Sequence, residues 1–276
     1  MKKSVLIFVF LLIILSIVSI LLLNHQRLSD KDAETLQKRQ YNTDEEKALT
    51  EQPLLEQEEQ IIISEKFVEW HYQEGAWKPA SNPPICGESL LLKLPADINL
   101  VTSILYPGQK RGEEFKAHGG LRFDKSDNSI EIKAPMDAYL VSASSYLHEG
   151  ERQYMLDFIH PCGIKYRIDH LVSIPSKIQV LLEHLPEPKE GDSRTYSVEP
   201  TFFAQEELLA TSIGLNNNVF FDLGVYDLRS ENDAGLQGEQ SAYGVCWFDW
   251  LDAENSKKIR ALPGADGKEG KNSVYC

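Results

Sequence analysis

Residues Val5 to Leu23 (VLIFVFLLIILSIVSILLL) are 19 consecutive uncharged residues, with only Ser16 and Ser19 as polar interruptions. At about 1.5 Å per residue, such a helix matches a hydrocarbon core about 30 Å thick. This run constrains the chain more than any other stretch, because the rest of the polypeptide must then fold on one side of a bilayer. Lys2 and Lys3 precede it and an acid-rich stretch lies after it, so the positive-inside rule predicts an N-in orientation with the remainder outside the cytoplasm. A signal peptide would start in the same way. However, the run exceeds the roughly 7 to 15 apolar residues of such peptides, and no small-x-small cleavage site comes after it. The expectation is an uncleaved single-pass anchor over 1–23 that localises the protein to the cell membrane.

An extracytoplasmic placement bears on the four cysteines, Cys86, Cys162, Cys246 and Cys276. An even count in an oxidising compartment predicts disulfides, with three connectivities open. Pairing Cys246 with Cys276 would tie down the C-terminal tail. Zinc ligation by these residues is disfavoured, since none of the pairs has C-x-x-C spacing. The formal charge of −14 argues against a nucleic-acid partner, because phosphate binding needs clustered Lys and Arg.

Residues 24–66 are dominated by Glu, Asp, Gln and Lys, as in LQKRQYNTDEEKALTEQPLLEQEEQ, and read as an acidic juxtamembrane spacer. The folded domain is expected over 67–276. After Pro83-Pro84 the sequence breaks into short alternating segments between Gly, Pro, Asn and Asp turns: SIEIKAP, DAYLVSAS, QYMLDFI and IKYRIDHL. In IKYRIDHL, Ile164, Tyr166, Ile168 and His170 alternate with Lys165, Arg167 and Asp169, which predicts His170 on the apolar face of a half-buried strand. His160-Pro161-Cys162-Gly163 reads as the hairpin turn before it. PSKIQVLLEHL and the stretch from Cys246 to Arg260 each suit a short helix. The fold class is therefore mostly β, an antiparallel sheet or barrel-like domain with a few short helices, behind one transmembrane helix.

Four segments in order, spanning roughly Tyr106 to Tyr226, carry a resemblance to a known family. They are YPGQKRGEEFKAHGGLRFD, IEIKAPMDAYLVSA, GIKYRIDHL and FFAQEELLATSIGLNNNVFFDLGVYDLR. Together they resemble the lysostaphin-type zinc endopeptidases, which cleave peptide cross-bridges in peptidoglycan. His118 and Gly120 match the strand that carries the family's H-x-x-x-D, Ala134-Pro135 matches its second segment, and His170 falls at a catalytic position. The resemblance implies a peptidase-type β domain in which zinc is held by His, Asp and a second His, with a bound water whose pKa falls to near 7.

Two pieces of that set are replaced. Arg122 occupies the Asp position, and an always-cationic guanidinium has no lone pair to give a metal. The H-x-H segment reads Asn218-Val219-Phe220 in one register and Phe220-Phe221-Asp222 in the next. One reading restores zinc through His118, His170 and either Asp124 or Asp222, although His118 and Asp124 lie about 20 Å apart along a straight strand. The other needs no metal: Arg122 forms an ion pair near His170 or Asp222, and Arg122, Tyr166, Asn218 and Phe220 line a binding cleft. On this second reading the protein has no cofactor and acts on peptidoglycan or on wall enzymes as a binder or regulator. A third possibility is a pure interaction module that recruits partners through its spacer and C-terminal aromatic segment. His71, His148 and His160 read as surface residues, and Tyr139, Tyr146, Tyr154, Tyr166 and Tyr226 by default as core, although they could also supply sugar or peptide stacking.

Overall fold

The computed structural model describes residues 67–87, 90–265 and 270–276. The expected membrane helix over 1–23 and the spacer over 24–66 lie outside the described residues. Among the described residues, no helix is long and apolar enough to cross a membrane.

The domain is mostly β, with a few short helices. Its strands are β1 (Trp70–Gln73), β2 (Ala76–Pro79), β3 (Ser103–Leu105), β4 (Gln109–Arg111), β5 (Glu114–Lys116), β6 (Gly119–Phe123) and β7 (Ile132–Lys133). They continue with β8 (Ala138–His148), β9 (Glu151–His160), β10 (Ile164–Ser173), β11 (Tyr196–Phe203), β12 (Leu208–Ala210), β13 (Ser212–Ile213) and β14 (Val219–Asp227). Helix α1 (Ser176–Leu181) comes after β10, and α2 (Ala253–Ala261) lies near the C-terminus. The main sheet runs β11-β8-β9-β10-β14-β6-β3, with β13 added against β10, and its pairings are antiparallel. Its outer strands β11 and β3 do not pair with each other, so the barrel-like expectation is corrected to an open sheet. Of the four predicted strand segments, SIEIKAP contributes only the two residues of β7, because it pairs with the short β12 rather than with the main sheet.

Local chemistry explains the hairpins. Glu149 and Gly150 both have positive φ between β8 and β9, the geometry of a tight two-residue turn. The Glu190 carboxylate accepts from both of their backbone N–H groups, at 2.8 and 3.2 Å. The His160–Gly163 turn forms as expected, with Gly163 N–H donating to the His160 carbonyl at 2.9 Å and Gly163 at φ +98. Trp70 packs so closely on Gly163 that a side chain there has no room.

Period-two alternation divides the sheet into two faces. One face carries Leu121, Phe123, Leu140, Leu156, Phe158, Ile164, Tyr166, Ile168, Phe221, Leu223 and Val225, which form the main core with Ile178 of α1 and Ile259 of α2. The other face presents Gln153, Asp157, Lys165, Arg167, Asp169, Asp222 and Gly224. At one end of it a smaller cluster of Val68, Trp70, Ile159, Tyr226, Leu228 and Tyr243 brings the β1–β2 hairpin onto the sheet. Two disulfides brace the domain, Cys86–Cys162 and Cys246–Cys276.

Candidate functional site

The site grows from an irregularity in β10. Its pairing with β9 shifts register between Ile168 and Leu171, and His170 sits in the left-handed region at φ +66. This β-bulge inserts a residue into the alternation. Ile168 and Leu171 both enter the core, so Asp169 and His170 between them both fall on the polar face. The predicted placement of His170 with Ile168 on the apolar face is therefore corrected by one extra residue. A histidine held in the left-handed region stores roughly 1–3 kcal/mol of strain, which the surrounding contacts must offset.

Those contacts are specific. Gln153 Nε2 donates to the Gly214 carbonyl at 2.9 Å, which leaves Gln153 Oε1 facing His170 Nδ1 at 2.7 Å. An amide oxygen only accepts, so Nδ1 carries a proton that it donates to Gln153. The Tyr146 hydroxyl donates to Asp169 Oδ1 at 2.6 Å and lies 3.2 Å from the same Nδ1. Burial, followed by the charge of Asp169, pushes the Tyr146 hydroxyl well above the usual tyrosine range, so it serves only as a neutral donor.

Asp222 stands at the centre. The β14–β6 register sets it opposite Gly120, and the β14–β10 register sets it opposite Asp169. His118 Nε2 lies 3.2 Å and His170 Nε2 3.8 Å from the same oxygen, Asp222 Oδ2. The other oxygen, Oδ1, is buried without a hydrogen-bond partner among the described residues and lies against Gly120, where a Cβ would overlap it. Burial raises the Asp222 pKa, but the hydrogen bond and charge of His118, with the charges of His170 and Arg111, outweigh it and hold the carboxyl well below its ordinary range. Arg111 also donates to the His118 carbonyl at 2.8 Å, which fixes the backbone entering β6.

Arg122, Phe220 and Asn218 form a shelf beside this cluster. Arg122 is opposite Phe220 in the β6–β14 register; its guanidinium lies 4.4 Å from the Phe220 ring centre and donates to Asn218 Oδ1 at 3.2 Å. His170 packs on the same Phe220 ring at 4.3 Å, and His148 joins both rings at 5.4 and 6.4 Å. On the other side of Asp222 a cavity of about 460 Å³ is lined by His118, Arg167, Asp169, Arg194, Gly224 and Gln240 among others.

The sequence-derived candidates thus separate. His118, His170 and Asp222 converge, and Arg122, Asn218 and Phe220 lie together beside them. Asp124 does not join them, because it is exposed one residue past β6 and four residues along from the Gly120 that faces Asp222. The ion pair expected of Arg122 is also corrected: it stacks on an aromatic ring, and the partner of Asp222 is His118. Tyr166 is not a cleft residue; it is fully buried on the core face, stacked on Phe158 at 4.6 Å.

Tyr146, His148, Gln153 and Asp169 were missed as site residues. One signal was available for Gln153: it alternates with Met155 and Asp157 on a strand whose other face is apolar. His148, read as a surface residue, ends β8 beside the His170 and Phe220 rings. Among the described residues, no group of three or more His, Cys, Asp or Glu side chains is set to hold a metal ion. No protein-family model matches the chain, and a search of curated proteins finds no match. Fold and site therefore define the class: a disulfide-braced antiparallel β domain with a histidine–carboxylate cluster on the polar face of its sheet.

Proposed function

We propose that the chain is a peptidase-type domain of the cell envelope, anchored by its N-terminal apolar run, which binds peptidoglycan peptides or wall enzymes without hydrolysing them. The observation that carries this reading is the fate of the family's metal-binding carboxylate. Arg122 stands where the resemblance puts that carboxylate, with its guanidinium 4.4 Å from the Phe220 ring centre, while the carboxylate that is present, Asp222, is engaged by His118. The family's zinc set does not fit these residues, since a guanidinium supplies no lone pair and repels a dication at close range. The resemblance to lysostaphin-type enzymes supports the ligand class, and the cavity of about 460 Å³ beside Asp222 offers room for it.

The test measures bound zinc and muropeptide cleavage with the full-length, detergent-solubilised, oxidised protein. The expected result is substoichiometric zinc, no cleavage, and retention of soluble muropeptides. Stoichiometric zinc together with cleavage abolished by His118→Ala would sink the proposal.

A second reading keeps hydrolysis, with zinc held by His118, His170 and Asp222. It is favoured by the two Nε2-to-Oδ2 separations of 3.2 and 3.8 Å, which bracket the roughly 3.4 Å between neighbouring ligands of tetrahedral zinc at bond lengths of about 2.1 Å. The protonated Nδ1 of His170, donating to Gln153, is the arrangement that orients a ligating imidazole. Zinc would supply a Lewis-acidic, water-activating centre there. Chelator treatment that leaves thermal unfolding and all hydrolysis unchanged removes this reading.

A further inference from the structure

The shelf beside the histidine–carboxylate pair has a charge with no carboxylate counterpart among the described residues. Arg152, Arg167, Arg194, Arg229 and Arg260 each pair with a carboxylate. Arg122 does not: its side chain has one hydrogen bond, to the neutral amide oxygen of Asn218, and one ring contact, to Phe220. In a chain with a net charge of −14, a half-buried guanidinium with no carboxylate partner among the described residues needs a reason. The ring contact covers one side of the group, and the single hydrogen bond from Nη1 to Asn218 leaves its other N–H donors for a ligand.

We infer that Arg122, held by Phe220 and Asn218, anchors the free carboxylate of a peptide whose body lies across the His118–Asp222 pair. This rests on the proposed peptide-binding role and names the group that would be recognised. A single planar guanidinium matches a single carboxylate by two parallel N–H···O bonds. Polyanions are disfavoured, because the acidic protein repels them at long range while a short peptide carrying one carboxylate is tolerated. Asp222 lies one side-chain row away, about 7 Å along the strand. Its negative charge would oppose an incoming anion, but the His118 hydrogen bond and the Arg111 charge offset it. Beyond Asp222 the cavity of about 460 Å³ has room for one or two residues of the bound peptide.

The test uses the full-length oxidised protein in detergent micelles, with N-acetyl-D-alanyl-D-alanine as free acid and as C-terminal amide, and a muropeptide digest as a separate probe. Calorimetry should show the acid binding at least about tenfold tighter than the amide, the size expected of a charge-assisted bidentate contact. Arg122→Gln should erase that preference without shifting the unfolding midpoint. If Arg122→Gln fails to fold, Arg122→Lys, which keeps the charge but loses the fork, should reduce the preference severalfold. Equal binding of acid and amide overturns the inference, as does a preference that survives in the variants. Muropeptides that bind regardless of terminal amidation overturn it while leaving the peptidoglycan-binding proposal standing. Acid binding that depends on Arg122 without muropeptide retention supports the inference and overturns the proposed wall ligand. Binding of neither probe overturns both.

Discussion

At the scale of single residues, the polar sheet face depends on Asp157. Its side chain is 2% exposed and accepts from Arg167 Nε and Nη2 at 2.6 and 2.7 Å, with Lys165 Nζ at 3.2 Å. Burial raises its pKa, but the charges of Lys165 and Arg167 and the hydrogen bonds from both outweigh it, holding the carboxyl well below its ordinary range. Because the folded pKa is depressed, the associated stability is fully present above the unfolded value near 4 and is lost as pH falls below it. Asp157→Asn should leave two buried cations uncompensated and cost about 3–5 kcal/mol in urea unfolding at pH 7. The variant's stability should also fall less steeply than the wild type's between about pH 4 and 2. A parallel acid dependence in the two proteins would assign the acid sensitivity to other carboxylates.

At the scale of elements, the approach of β6 to β14 decides what the site can contain. Gly120 is opposite Asp222, and its missing side chain is the space that Asp222 Oδ1 occupies. Gly120→Ala should push Asp222 off His118 and cost about 1–3 kcal/mol, the range for overpacking. Gly87 has nothing within 4 Å of the corresponding position, so Gly87→Ala should change stability by less than about 0.5 kcal/mol. Similar effects at the two glycines would show that Gly120 has no special packing role. The β10 bulge is the complementary device, since one extra residue delivers Asp169 and His170 to the same face. Alternation in IKYRIDHL shows that β10 is a strand and which face of its first half is apolar. It cannot show a bulge, because a bulge is settled by pairing with β9, a partner distant in the pattern.

At the scale of the whole molecule, the disulfides join regions that the sheet alone leaves loosely connected. Cys86–Cys162 fastens the segment before the main sheet to the β9–β10 turn across 76 residues, and Cys246–Cys276 fastens the final residues across 30. Each should contribute about 2–5 kcal/mol, the longer loop more, because closing it removes more entropy from the unfolded chain. Paired Cys→Ser variants compared by urea unfolding under oxidising conditions should show this order. Equal losses would mean that native-state contacts outweigh loop length.

The mostly β class, the hairpin at His160–Gly163 and the helices near Ser176 and Ala253 were legible in the amino-acid sequence. Each is written in local periodicity or turn chemistry, and none needs a distant partner. The cysteine pairing, the exclusion of Asp124, and the meeting of His118 and His170 on Asp222 were settled only by the tertiary fold. These depend on register between β6, β10 and β14, strands separated by tens of residues. A shift of one residue in that register moves a side chain from one face of the sheet to the other.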